Sequence, residues 1–245
     1  MLSFLKPKPD LKDLITGDYV DIHSHLLPGI DDGAKTISDT AKLTKAFETI
    51  GISQFITTPH VSHYIWNNSP QSILDNHAKT TILLSENDIQ KPFKVAAEYF
   101  MDDWFEKHFK NEKLLPLKDN YVLVEMSYMN APIQLYKILF DLQVAGYIPV
   151  LAHPERYLFY HKNFNEYEKL KKAGCLFQLN LLAIVGYYGS EITQISEQLL
   201  KKGMYDFVGS DVHHSNHIAA FEQKVKVNSL AALKESITNN QFFKF

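Results

Sequence analysis

The chain has 245 residues, 25 basic against 28 acidic side chains for a net charge of −3, and 45% apolar residues. So balanced a charge gives no support for binding to nucleic acid through a basic face, and no run approaches the ~18 apolar residues of a membrane span. The single cysteine, Cys175, excludes an internal disulfide framework and points to a reducing, cytoplasmic setting.

One domain over residues 1–245 is expected, with 1–17 and 239–245 peripheral to it. The opening stretch MLSFLKPKPDLKDL carries no apolar segment of signal-peptide length. From there the chain alternates strand and helix. YVDIHSH (19–25) is rich in strand formers. A helix follows, with Ser38 as its cap, Leu43, Ala46, Phe47 and Ile50 on one face, and Gly51 as its stop. SQFITTPH (53–60) is the second strand, and Pro70 opens a helix over 69–87. FKVAAEYF (93–100) and NYVLVEMS (120–127) are the third and fourth strands, followed by a helix from Pro132 to Gly146. IPVLAHPE (148–155), a helix over 164–173, CLFQLN (175–180), a helix over 190–202 and YDFVGSDVH (205–213) complete seven strands. A last helix is expected over 216–238, and the aromatic tail QFFKF is expected to dock on the body of the fold.

Seven strands alternating with helices imply a parallel sheet with helices outside. Continuous apolar runs such as YVLV and IPVLA fit strands buried on both faces. No glycine-rich turn follows the first strand, which disfavours an open doubly wound sheet and leaves a closed or nearly closed barrel.

Chemistry-bearing residues collect at strand ends: His23 and His25 on the first, His60 on the second, Glu98 on the third, Glu125 on the fourth, His153 on the fifth, Asp211 and His213 on the seventh. In a parallel barrel these C-terminal ends share one rim. Residues two apart on a strand face the same way, so His23 with His25 and Asp211 with His213 form inward pairs. Any one of them alone reads as a hydrogen-bonded loop residue or an ion-pair partner. Together, buried imidazoles and carboxylates converging on one point are costly unless they hold cations. A set of His and carboxylate donors without thiolate suits Zn, Mn or Fe(II), and the number of donors implies two or three divalent ions. Of the other histidines, His63, His214 and His217 flank these motifs as substrate-contact candidates, while His77, His108 and His161 read as surface residues. Arg156, in AHPERY, is the one arginine among 25 basic residues, and its flat fork of donors suits phosphate or carboxylate.

The ordered motifs DIHSHLLPGIDDGAKT, TPH (58–60), AAEY (96–99), VEMS (124–127), AHPER (152–156) and GSDVH (209–213) resemble the PHP superfamily of polymerase and histidinol phosphatase domains. They are most similar to the bacterial metal-dependent protein-tyrosine phosphatases of capsular and exopolysaccharide clusters, over about residues 19–215. The resemblance implies an α/β fold, a distorted (β/α)7 barrel. It implies one ion held by His23, His25, Glu98 and Asp211, a second by Glu98, Glu125 and His153, and a third by His60, His213 and an aspartate of the DDG run, Asp32 in preference to Asp31. It also implies Arg156 as the phosphate-binding arginine; His63 and His217, beside the motifs, stand as substrate-contact candidates, and His213 or a nearby histidine as the candidate proton donor to an alkyl leaving group. The implied reaction is hydrolysis of a phosphomonoester, with a phosphotyrosine protein, a bacterial tyrosine kinase, as substrate and partner. The family's second arginine, a few residues past GSDVH, has no counterpart here, where the chain reads DVHHSNHIAAF. The alternatives are a small-molecule PHP phosphatase such as histidinol-phosphatase, a TatD-type metal-dependent deoxyribonuclease, and a non-catalytic metal-binding scaffold.

Overall fold

The computed structural model describes residues 7–15, 17–87, 89–91 and 93–245. All seven expected strand segments are present, and the second and third are each divided in two. The strands are β1 (Val20–Asp21), β2 (Gln54–Thr57), β3 (His60–Val61), β4 (Phe93–Val95), β5 (Glu98–Phe100), β6 (Tyr121–Glu125), β7 (Ile148–Ala152), β8 (Leu176–Asn180) and β9 (Phe207–Gly209). Every pairing between these strands is parallel, in two sheets ordered β1-β2-β4 and β3-β5-β6-β7-β8-β9.

The division falls at Thr58–Pro59 and Ala96–Ala97. Pro59 has no N–H to give a ladder, and Thr58 N just before it donates to Ser24 O at 2.7 Å. The register is kept across the gap, with Thr57 opposite Val95 and His60 opposite Glu98. That pairing sets the two candidate ligands His60 and Glu98 side by side.

β1 and β9 lie next to each other without a regular ladder. A single parallel bridge joins Ser24 to Val212, and Asp211 N donates to His23 O at 2.7 Å. Side chains make the rest of the seam. Ser210 N and Oγ donate to the two oxygens of the buried Asp21 at 2.7 and 2.6 Å. Asn240 Nδ2 donates to Val20 O and Val208 O at 2.9 and 2.8 Å, while its Oδ1 accepts from Val208 N at 3.0 Å. Burial pushes the Asp21 carboxyl up to about 6.

The helices are α1 (Ile37–Thr49), α2 (Pro70–Ser85), α3 (Asp103–His108), α4 (Leu135–Val144), α5 (Asn165–Lys172), α6 (Ser190–Lys201), α7 (Ser215–Ala219) and α8 (Leu230–Asn239). Thr36, not Ser38, caps α1: its hydroxyl accepts from Asp39 N, and the Asp39 carboxylate returns to Thr36 N. The short α3 was not expected from sequence; Asp102 caps it by accepting from Phe105 N at 2.8 Å. The last expected helix is broken: α7 and α8 are separated by a turn at Ala220–Glu222 and an extended stretch through 229. The tail docks as expected, with Phe243 buried against Phe207 at a ring distance of 4.9 Å.

Most apolar residues form one large cluster that joins the strands to the helices. A smaller second cluster holds Val20, Ile22, Ile56, Ala96, Leu123, Val150, Ala152, Phe207 and Phe243. Ile22 directly precedes His23, and Ala152 directly precedes His153. The polar cluster therefore begins where this second apolar group ends. No helix among the described residues is long and apolar enough to cross a membrane.

Candidate metal centre

Four donor atoms from distant parts of the chain meet at one buried point. His23 Nε2 and His25 Nε2 lie 3.2 Å apart. Each is 3.2–3.4 Å from Glu98 Oε2 and from Asp211 Oδ1. A tetrahedral ion with ligands at ~2.0–2.1 Å separates neighbouring ligands by about 3.3–3.4 Å, and these five separations match it; Glu98 and Asp211 face the two histidines in separate donor groups. Both oxygens of Glu98, His60 Nδ1 and His153 Nδ1 are buried and, among the described residues, have no well-aligned hydrogen bond; the Glu98 oxygens and His60 Nδ1 make only close approaches to other candidate ligands. A carboxylate in that position is expensive unless a cation answers it. The residues therefore fit a divalent ion on donor chemistry, spacing and unsatisfied atoms.

The donors form four overlapping groups: His23, His25 and Asp211; His23, Glu98 and His153; His60, Glu98 and Glu125; and His25, Asp32, His60 and His213. Glu98 joins the middle two, with Oε1 3.3 Å from His153 Nε2 and Oε2 3.1 Å from His60 Nδ1. Glu125 approaches His60 Nδ1 at 2.9 Å, so Glu125 and His153 fall in different groups on either side of Glu98. His60 Nε2 and His213 Nε2 both face Asp32 Oδ1, at 3.5 and 3.3 Å. His153 and Asp211 have backbone φ of 37° and 51°. Non-glycine residues in the left-handed region are strained, and such strain gathers at functional sites.

Asp31 takes a different place from Asp32. It is buried, its Oδ2 lies 2.7 Å from His25 Nδ1, and its Oδ1 accepts from Gly33 N at 2.9 Å. It fixes the His25 ring from behind, as a carboxylate partner of a ligating imidazole does. Gln178 Oε1 does the same for His23 Nδ1 at 2.8 Å. Gly33 lets the loop come this close: a Cβ there would lie 2.0 Å from His25 O.

The local field favours positive charge. Burial works to raise Glu98 and Asp211, but the surrounding imidazoles hold both well below the usual carboxylate range. Burial works against a charged His60, yet Glu125 and Glu98 lift it to about 9. His25 is likewise held well above its ordinary value, against burial, chiefly by Asp31. His153 is lowered by burial.

The cluster opens into a cavity of about 260 Å³ lined by Asp32, His60, Tyr128, His153, Arg156, Tyr188, Asp211, His213, His214 and His217. Arg156 thus shares the cavity with the donors, and its Nη1 donates to Asp211 Oδ2 at 2.9 Å. His217 is at the cavity wall as expected, lowered to about 4 by burial. His63 is elsewhere, stacked on Trp104 at a ring distance of 5.1 Å. His213 has both nitrogens engaged, Nε2 toward Asp32 and Nδ1 2.9 Å from Asp211 O. Of the remaining histidines, His77 approaches Phe93 O, His108 pairs with Glu112 and His161 approaches Glu155 O; all three are half-buried. Sequence reasoning missed Asp31 as an orienting group, and Gln178, Asn180, Tyr128 and Tyr188 altogether. Asn180 had a signal: it ends the sixth strand, the one strand to which no site residue was assigned.

Residues 19–227 match the family described as capsular polysaccharide synthesis, CpsB/CapC. The chain belongs to the CpsB/CapC family. It is 30% identical over 196 residues to the tyrosine-protein phosphatase YwqE of Bacillus subtilis strain 168, covering 80% of this chain and 77% of YwqE. The putative tyrosine-protein phosphatase CapC of Staphylococcus aureus is 28% identical over 198 residues, 79% of this chain and 76% of CapC. A solved structure from the work on YwqE of B. subtilis and CpsB of Streptococcus pneumoniae, described as metal-dependent tyrosine phosphatases, matches with a TM-score of 0.76 at 28% identity. It covers 88% of this chain and 86% of that one. The histidinol phosphate phosphatase of Lactococcus lactis, at 12% identity and a TM-score of 0.51, shares the fold. The resemblance carried by the motifs is borne out as membership of this CpsB/CapC family.

Proposed function

We propose that this CpsB/CapC chain is a metal-dependent protein-tyrosine phosphatase of capsular or exopolysaccharide regulation, acting in the cytoplasm on the phosphorylated segment of a tyrosine kinase. The observation that carries the reading is the single guanidinium, Arg156, in the same cavity as the donor cluster and paired with one of its carboxylates. A cation cluster beside an arginine fork suits a phosphomonoester dianion.

In this reading the whole chain, 1–245, is one domain, and its two sheets are parts of a distorted (β/α)7 barrel. The Ser24–Val212 bridge and the inner cluster around Ile22 and Leu123 support that closure. His23, His25 and Asp211, with Glu98 facing both histidines, would hold one ion; Glu98, with His153 and Glu125 on its two sides, would serve a second, and Asp32, His60 and His213 a third. Bound there, Mn, Fe or Zn supplies an activated water at neutral pH and positive charge for the phosphoryl oxygens. The protein's own groups do the rest. Asp31 and Gln178 aim the two histidines. Arg156 binds and orients the phosphoryl group.

His213 is read here as a ligand and not as the proton donor, because Nδ1 faces a backbone carbonyl and Nε2 faces Asp32. A tyrosine phenolate, with a conjugate acid of pKa about 10, leaves with less help from an acid than an alkoxide does. That preference supports phosphotyrosine over phosphoserine. The test is turnover of phosphotyrosyl and phosphoseryl peptides, histidinol phosphate and single-stranded DNA by purified protein with Mn²⁺ and with chelator. Metal-dependent release of phosphate from the phosphotyrosyl peptide is expected; preference for another substrate overturns the assignment.

A further inference from the structure

Arg156 is held from several sides. Its Cζ lies 4.7 Å from the ring centre of Tyr128 and 4.3 Å from that of Tyr188. Its Nη1 donates to Asp211 Oδ2 at 2.9 Å. Asn180 Nδ2 donates to the same Asp211 oxygen at 2.8 Å and to Tyr188 Oη at 3.1 Å. The contacts close a circuit: Arg156 to Asp211, Asp211 to Asn180, Asn180 to Tyr188, and the Tyr188 ring back to Arg156. Asn180 is itself fixed, its Oδ1 accepting from Leu182 N and its N–H donating to Glu155 Oε1, both at 2.8 Å. Tyr128 enters from the loop after β6, stacked on His153 at a ring distance of 5.7 Å.

We propose that Tyr128, Tyr188 and Asn180 are positioning residues that hold the Arg156 guanidinium in its phosphate-binding pose before substrate arrives. A guanidinium has five N–H donors, and among the described residues Nη1 alone makes a hydrogen bond, to Asp211. The other donors remain for a ligand in the cavity that Arg156 lines. A free arginine side chain loses rotamer freedom when it binds a phosphate; one already held by two rings and a carboxylate does not, and binding gains what ordering would have cost. Asp211 and Asn180 also tie the arginine to the donor cluster, since Asp211 Oδ1 faces His23 and His25. The guanidinium is thereby placed relative to the ions. This inference deepens the phosphatase reading and rests on it.

The experiment measures kcat and KM for p-nitrophenyl phosphate and a phosphotyrosyl peptide, and Ki for inorganic phosphate, in the Mn²⁺-loaded protein. The variants are Tyr128→Phe, Tyr128→Ala, Tyr188→Phe, Tyr188→Ala and Asn180→Ala, each alone and with Arg156→Ala. Loss of either ring is expected to raise KM and the phosphate Ki together, by roughly three- to thirtyfold, with a smaller change in kcat. Phenylalanine at 128 keeps the ring and is expected to restore both. Asn180→Ala is expected to raise them as well. In the Arg156→Ala background none of these changes is expected to have further effect.

Three outcomes overturn the proposal while leaving a phosphatase in place. If ring loss raises KM for aryl substrates but not Ki for phosphate, the rings touch the substrate directly. If Tyr128→Phe is as damaged as Tyr128→Ala, the hydroxyl is the working group. If the single variants alter melting temperature alone, the rings are packing. A wild-type protein that hydrolyses neither compound overturns the phosphatase reading itself.

Discussion

Asp31 Oδ2 lies 2.7 Å from His25 Nδ1 and also accepts the backbone N–H of His60 at 3.2 Å. One buried carboxylate thus aims two histidines of the cluster while contributing to none of its donor groups. Its neighbour Asp32, half exposed, reaches the cluster with its own oxygen. Replacing Asp31 by Ala is expected to weaken divalent-ion binding by roughly 10–100-fold, with His23 and His60 still in place. Calorimetric titration of Mn²⁺ into wild type and variant measures it; unchanged affinity removes Asp31 from the site.

Glu98 is the carboxylate shared by two donor groups, and among the described residues neither of its oxygens has a well-aligned hydrogen bond. Glu98→Gln is expected to reduce phosphotyrosyl-peptide turnover by at least about 10³-fold. The same change is expected to lower the stability of the ion-free protein, because the imidazoles that hold Glu98 well below the usual carboxylate range lose their counter-charge. Melting curves in chelator read the second part. A variant with normal turnover contradicts the assignment of this residue as a ligand.

An ion held by these donors would link binding to folding. A ligand at ~100 times its dissociation constant stabilises the native state by about 2.7 kcal/mol. Adding chelator is expected to lower the melting temperature of wild type by several degrees, and that of His153→Ala by less. Equal shifts in the two proteins would place the stabilising ion away from His153.

Gly33→Ala tests the close approach of the DDG loop. The added Cβ would lie 2.0 Å from His25 O and 2.5 Å from His25 Cβ, both on the segment that carries the ligand. The expected result is destabilisation of about 2 kcal/mol or more together with loss of bound ion by elemental analysis. Gly17→Ala is the matched control, since a Cβ there would meet nothing within 4 Å.

Cys175 is buried at the start of the sixth strand segment, and burial pushes its thiol from 9.0 up to about 12. The sign follows from the raised value: the thiol form is favoured in the folded protein. The stabilising contribution is present below the unfolded value near 9.0 and is lost as pH rises through about 12. Labelling by a thiol reagent at pH 8 is therefore expected only after denaturation, and urea midpoints of wild type are expected to fall above pH 9 more steeply than those of Cys175→Ala. Rapid labelling of the native protein contradicts this.

The strands were legible because buried parallel strands write themselves as apolar runs, as in YVLV and IPVLA. The donors were legible because histidine and acid at a strand end are local signals. The interruption at Thr58–Pro59 had a signal in Pro59, which has no N–H for a ladder; the one at Ala96–Ala97 had none, since Ala97 N leaves for Leu115 O, at 3.2 Å, on a segment that shows no such partner in sequence. Thr36 and Ser38 carry equal capping chemistry, and the position of Asp39 three residues past Thr36 decides between them. The orienting residues were the least visible. Gln178 supports His23 from 155 positions away, and Asn180 reaches Asp211 across 31. An amide near a strand end has no spacing to announce its partner.

The seam between β1 and β9 has a consequence for how the molecule is made. The Asn240 side chain joins Val20 to Val208, and the Val20 contact spans 220 positions of sequence. Contacts of such separation form late and slowly, because nearly the whole chain must be ordered to bring them together. On a ribosome, His23 and His25 would wait beside an open edge until residue 240 had emerged, with the first sheet assembled and its neighbour still growing. The Asn240 turn would then act as a latch on the seam whose two strands lead to His23 and Asp211.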